Sequence, residues 1–88
     1  MTKRIKAAAI HSLLIDGGHT PSEVDASEWD PGFRTAQADT RQVNVFYDGP
    51  GEEQQLQALT TELRSAGYHV HPSQLDAGGR RRLEVTRP

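Results

Sequence analysis

The sequence predicts an α+β domain, a two-layer sandwich with two helices on one face of a mostly antiparallel four-stranded sheet, in the order α-β-β-α-β-β. Three observations lead to it. In residues 42–48, Val43, Val45 and Tyr47 alternate with Asn44, Phe46 and Asp48, the period of a strand with one face on a core. In residues 52–66, Leu56, Leu59, Leu63 and Ala66 recur at three- and four-residue spacing, with Glu53, Gln57, Thr61 and Arg64 on the other side, as in a helix lying on a sheet. After that helix, Tyr68, Val70 and Pro72 alternate with His69 and His71, and Leu83 and Val85 alternate with Arg82, Glu84 and Thr86, which reads as a closing hairpin. Strands grouped in hairpins between helices favour an antiparallel sheet.

Each element has its own signals. Residues 3–16 read as the first helix, with Ile5, Ala9, Ile10, Leu13 and Leu14 forming a broad apolar arc that Gly17 and Gly18 end. Lys3, Arg4 and Lys6 then fall in the first turn, where the helix dipole disfavours positive charge. They are either a solvated terminus or a contact for an acidic partner or a phosphate. Thr20-Pro21-Ser22-Glu23 has the form of a capping box with proline at the first helical position, so a single turn is expected from Pro21 to about Ala26. A helix-turn-helix needs a further, recognition helix, and Trp29-Asp30-Pro31-Gly32 breaks the chain where it would begin. Trp29 and Phe33 are expected to plug the end of the core. Phe33, Thr35 and Gln37 alternate with Arg34 and Ala36 as a strand, and residues 38–41 make a polar turn back into Val43. Gly49, Pro50 and Gly51 break the next strand, Pro50 suits the first helical turn, and Glu52 and Glu53 place negative charge at the positive end of the helix dipole. Gly67 suits the left-handed residue that closes a helix, with Tyr68 positioned to contact Leu63. Residues 73–79 loop into the final strand, whose flanking arginines discourage edge pairing.

Two runs echo each other, Pro21-Ser22-Glu23-Val24-Asp25-Ala26 and Pro72-Ser73-Gln74-Leu75-Asp76-Ala77, each following a helix, a glycine and a histidine. The order helix, hairpin, helix, hairpin therefore reads as a candidate duplication. The echo precedes the hairpin in one half and falls inside it in the other, which weakens the match.

Composition bounds the function. The 88 residues make one domain, 1–88, with a modest core and no room for a deep catalytic cleft. At 34% hydrophobic and 25% charged the chain is globular rather than disordered. A net charge of -2 exerts no global pull toward nucleic acid or anionic membrane, so such binding requires a local patch. The lack of cysteine excludes disulfide and thiolate chemistry, and no apolar run approaches the ~20 residues of a membrane span. A cytoplasmic protein is expected. Eight arginines against two lysines, with many Ala, Gly and Asp, read as a high-GC coding bias.

If the helices cover Val43, Val45, Tyr47, Val70, Leu83 and Val85, alternation sends Arg34, Asn44, Phe46, His69, His71, Arg82 and Glu84 to the opposite face. That open face is the candidate site. It resembles in outline a single-stranded RNA platform, but only Phe46 is available to stack. His69 and His71 share one side of a strand at a spacing metals use, with Glu84 or Asp48 as carboxylate candidates, yet no third ligand is fixed, so no metal and no cofactor is assigned. Asp48-Gly49-Pro50-Gly51 is a strand-to-helix turn of the kind that binds phosphate, but Glu52 and Glu53 occupy the place of the anion and no lysine completes a P-loop. Ser22 and Ser73 follow prolines with no base or orienting acid beside them, so no triad forms. Arg80, Arg81 and Arg82 form a compact basic knuckle able to grip phosphate or an acidic surface.

Glu28-Trp29-Asp30-Pro31-Gly32-Phe33, Val43-Asn44-Val45, Asp48-Gly49-Pro50-Gly51-Glu52 and Leu63-Arg64-Ser65-Ala66-Gly67-Tyr68 together resemble the small uncharacterised α+β proteins of high-GC actinobacteria, their plasmids and their phages. The resemblance covers the chain from Ala7 onward and rests on spacings. It implies a cytoplasmic accessory protein, with no activity to transfer.

The expected function is thus a non-enzymatic interaction module that binds a protein partner or itself, through Arg34, Phe46, His69 and His71 on the open face or through the knuckle of Arg80, Arg81 and Arg82. The alternative is a weak nucleic-acid binder using that knuckle and the open face. A membrane partner is not expected.

Overall fold

The computed structural model describes residues 3–25, 28–74 and 81–88; side chains at 23–25, 28–30 and 74 are outside that description. The elements are α1 (Ala7–Asp16), β1 (Glu23–Asp25), β2 (Glu28–Asp30), β3 (Gly32–Asp39), β4 (Gln42–Asp48), α2 (Glu52–Ser65), β5 (His69–Gln74) and β6 (Arg81–Thr86). Strands β3 to β6 form one sheet in the order β3-β4-β6-β5, every neighbouring pair antiparallel. With α1 and α2 on one face, this is the expected α-β-β-α-β-β sandwich. The small β1-β2 ribbon is additional.

Registers fix the core. Val43 lies opposite Val85 and Val45 opposite Leu83, while Val70 lies opposite Val85 from the other side. These side chains meet Ile10 and Leu14 of α1 and Leu56, Leu59 and Leu63 of α2 in one buried cluster that also holds Ile5 and Phe33. Burying a Leu, Val or Ile side chain stabilises by about 1.5–3 kcal/mol, so this cluster is the main source of stability. The apolar arc of α1 is narrower than expected, because Ala9 is exposed and Leu13 only half-buried. In α2 the leucine stripe is as expected, but Ala66 is exposed, and Thr60 is buried with its hydroxyl donating to the Leu56 carbonyl at 2.8 Å.

Both helices end in the same way. In α1, Gly18 (φ 89°) is followed by His19, whose N–H donates to the Leu14 carbonyl at 3.0 Å, while the Gly18 N–H donates to Ile15. In α2, Gly67 (φ 96°) is followed by Tyr68, whose N–H donates to the Leu63 carbonyl at 3.1 Å, while the Gly67 N–H donates to Arg64. These are two Schellman closures, which satisfy carbonyls that helix ends otherwise leave unpaired.

Three expectations are corrected. α1 begins at Ala7, not Lys3: Lys6 is extended (φ -117°, ψ 135°), and residues 3–6 run beside the β3-β4 turn. There the Ile5 N–H donates to the Thr40 carbonyl at 3.0 Å, and the Gln37 side chain both accepts from the Ala7 N–H and donates to the Ile5 carbonyl. Those bonds, with three cations the dipole disfavours, outcompete another helical turn. The helical turn expected from Pro21 is also not formed. Pro21 instead bridges Phe33 in parallel, with Ser22 N–H donating to Phe33 and Phe33 N–H to Thr20, and residues 23–25 are strand β1. Third, α2 starts at Glu52 with Gly51 in the left-handed region (φ 75°) as its cap, so Pro50 precedes the helix rather than opening it. The Trp29 side chain, Ala26 and residues 75–79 of the loop fall outside the described residues, while Phe33 is buried as expected, beside the His11 ring at 5.3 Å.

Candidate functional site

The open face is built by alternation. Because Val43 and Val45 point to the helices, Asn44 and Phe46 point away, and antiparallel registers set Ala36, Asn44, Glu84 and His71 in one row across the four strands. A second row places Arg34 opposite Phe46 and Arg82 opposite Ser73. Carrying the Val45–Leu83 register one residue further sets Phe46 beside Arg82.

The side chains of this face are tied to one another. The Arg34 guanidinium stands 5.3 Å from the Phe46 ring centroid, and its Nε lies 3.6 Å from Asp48 Oδ2. Since the Arg34 side chain is 56% exposed, each contact is worth at most about 1 kcal/mol. Arg82 Nη2 lies 3.9 Å from Glu84 Oε1. Gln42 Nε2 donates to Asn44 Oδ1 at 2.9 Å and reaches Glu84 Oε2 at 3.5 Å. Asn44 is thereby 9% exposed on a face no helix covers. The Arg82 Nε is out of solvent and has no acceptor among the described residues, which costs about 1–3 kcal/mol unless something supplies one.

The structure brings Arg34, Phe46 and Arg82 together and separates the others. His69 and His71 are exposed on this face at the sheet edge, opposite Thr86 and Glu84, and among the described residues no three carboxylate, imidazole or thiol groups converge as a metal site would require. Arg80 lies outside the described residues. The compact knuckle is corrected: Arg81 and Arg82 belong to strand β6, whose pleat sends them to opposite faces, Arg81 toward Glu53 of α2 at 3.9 Å. Gln42 carries no sequence signal, and Asp48 is a candidate only as a carboxylate beside the histidines, because only the register reveals that they reach Glu84 and Arg34.

Both sheet edges are partly occupied. On β5, Arg64 Nη2 donates to the Val70 carbonyl at 2.9 Å, and Pro72 has no N–H to offer. On β3, residues 20–22 occupy the backbone of Phe33, and the segment through Ile5 and Ala7 is fastened to Gln37 and Thr40. A groove of about 390 Å³ lies between α2 and the β5-β6 hairpin, floored by Leu56, Thr60, Pro72 and Leu83, with the Arg81–Glu53 pair on its wall. No helix among the described residues is long and apolar enough to cross a membrane.

No family model, curated protein or solved structure matches this chain.

Proposed function

We propose that the chain is a non-enzymatic interaction module that meets another protein surface, in the first instance a second copy of itself, through the open sheet face around Phe46. The observation that carries this reading is the charge arrangement of the face. Its described arginines, Arg34 and Arg82, each lie near a carboxylate, Asp48 and Glu84, around one aromatic ring. Such a face is neutral and self-complementary, so two copies facing each other bring guanidinium groups against carboxylates with the Phe46 rings between them.

Strand addition is disfavoured because both edges are partly occupied, which favours the face as the route of association. Nucleic acid is the weaker reading of this face, because phosphate binding draws on unpaired cations and stacked aromatics. Four strands about 4.8 Å apart and seven residues of about 3.3 Å rise give roughly 400 Å² of flat area per copy. That is below the ~800 Å² per partner of a standard stable complex, so the dimer is expected to be weak. A cytoplasmic accessory role accords with the resemblance to small actinobacterial, plasmid and phage proteins.

Sedimentation equilibrium between about 5 and 500 μM tests the proposal. The mean mass rises toward the dimer for the native chain, and Phe46→Asp stays monomeric at every concentration. A native chain that remains monomeric sinks self-association; a Phe46→Asp chain that dimerises as well as the native one sinks the face.

A further inference from the structure

Half of the chain's ten lysines and arginines are gathered by the fold at one end of the molecule, away from the sheet face described above. Lys3, Arg4 and Lys6 lie in the extended segment that runs beside the β3-β4 turn, held there by the Ile5 N–H on the Thr40 carbonyl. Arg41 is the next residue of that turn. Arg87 follows the end of β6 and donates from Nη1 to the Arg4 carbonyl at 3.4 Å, which closes the group from the other end of the chain. Thr86 and Arg41 share a hollow of about 430 Å³ with Thr40, Gln42 and Asp39.

All five cations are exposed, and none is in an ion pair among the described residues. The carboxylate of Asp39 is occupied at home, accepting from the Arg41 N–H at 2.6 Å to shape the turn. Counting side chains, five cations against one carboxylate give this end +4, which leaves -6 for the rest of a chain whose total is -2. The sequence shows Lys3, Arg4 and Lys6 together, but only the fold adds Arg41 and Arg87 to them.

We infer that this end of the molecule binds the phosphate backbone of duplex nucleic acid without reading its bases. Phosphate oxygens are held by arginine, lysine, threonine hydroxyls and backbone N–H groups, and the end presents Arg4, Arg41, Arg87, Thr40 and Thr86. An acidic protein surface fits less well, because a protein interface needs an apolar anchor at its centre. The one large apolar side chain exposed among the described residues is Ile15, near the far end of α1, and Ile5 within the patch is buried. Tyr68, the aromatic side chain that follows α2, is packed against the core rather than presented for stacking, which favours a duplex over a single strand. The acidic remainder of the surface turns the protein so that only this end approaches the polyanion.

Fluorescence anisotropy with a labelled 20-base-pair duplex of arbitrary sequence, the matching single strand, and polyglutamate as competitor tests the inference. Five phosphate contacts give a slope of log K against log salt of about -4.5, so lowering salt from 150 to 50 mM tightens duplex binding roughly 100-fold. Arg41→Glu with Arg87→Glu weakens binding at 50 mM salt by about 100-fold or more and reduces the slope by about 2. Arg81→Ala, on the helix side of the sheet, leaves it within about threefold. Circular dichroism melts check that the exposed substitutions keep the fold. Three results overturn the inference: no duplex binding at 50 mM salt, binding that survives the double charge reversal, or polyglutamate competing as well as duplex at equal charge, which assigns the patch to an acidic protein. None of these depends on whether the chain dimerises through Phe46.

Discussion

At the scale of single residues, glycines separate backbone necessity from convenience. A Cβ on Gly32 would overlap the Pro21 carbonyl carbon and the Thr20 oxygen, backbone that cannot yield without breaking the bonds between residues 20–22 and Phe33. A Cβ on Gly17 meets only the flexible end of the Glu62 side chain, and Gly17 has an ordinary φ of -78°. Gly32→Ala is therefore expected to cost about 2–4 kcal/mol and to lower the melting temperature by 10 °C or more, while Gly17→Ala stays within about 1 kcal/mol of the native chain, in the stabilising direction. Thermal melts of the two variants check this, and equal melts would refute the close approach of residues 20–22 to β3. The sequence marks Gly32 only as a break before Phe33. The reason for glycine there is a neighbour twelve residues away, which no local pattern encodes.

At the scale of elements, strands β3 to β6 and α2 were legible, unlike β1 and β2, because their signals are local: alternation for β4 and β6, a leucine stripe for α2, Gly67 and Tyr68 for its end. The elements that were misread are those decided by partners elsewhere. Thr20-Pro21-Ser22-Glu23 carries a good capping signature, but the Ser22 N–H donates to Phe33 instead. Residues 3–6 lose their helix to Gln37 and Thr40. The same kind of contact partly occupies the β5 edge, where Arg64 reaches back from the last turn of α2 to Val70 and Pro72 interrupts the donors. Arg64→Ala with Pro72→Thr is expected to open that edge, producing larger assemblies at about 100 μM that bind thioflavin T, whereas the native chain gives none by light scattering. A double variant as soluble as the native protein would show that the edge is protected by something else.

At the scale of the whole molecule, α1-β3-β4 and α2-β5-β6 are arranged alike, with β4 and β6 adjacent at the sheet centre and β3 and β5 at its edges. The short echo between Pro21 and Pro72 does not map onto this likeness. Pro72 lies within β5, whereas Pro21 lies beside β3 and before β1. The halves share one core, since Val43 and Val45 of the first pack against Val85 and Leu83 of the second. A fragment of residues 1–50 leaves that apolar surface uncovered, so it is expected to lack a cooperative melt while the full chain shows a single transition. Circular dichroism of both checks this; a fragment that melts cooperatively would mean that the first half folds alone.

The sequence by itself determined the layers and the faces, because the periods of 2 and 3.6 are properties of the local backbone and decide which side chains can share a surface. It also determined that Arg34, Phe46 and Arg82 share a face, since each follows from alternation within its own strand. Only the tertiary structure decided which carboxylates neutralise those arginines, that β6 begins early enough to include Arg81, and that cations at opposite ends of the chain meet at one pole. Charge neutralisation depends on distances of a few ångströms between residues tens of positions apart, and the register of the sheet and the path of the terminal segment set those distances.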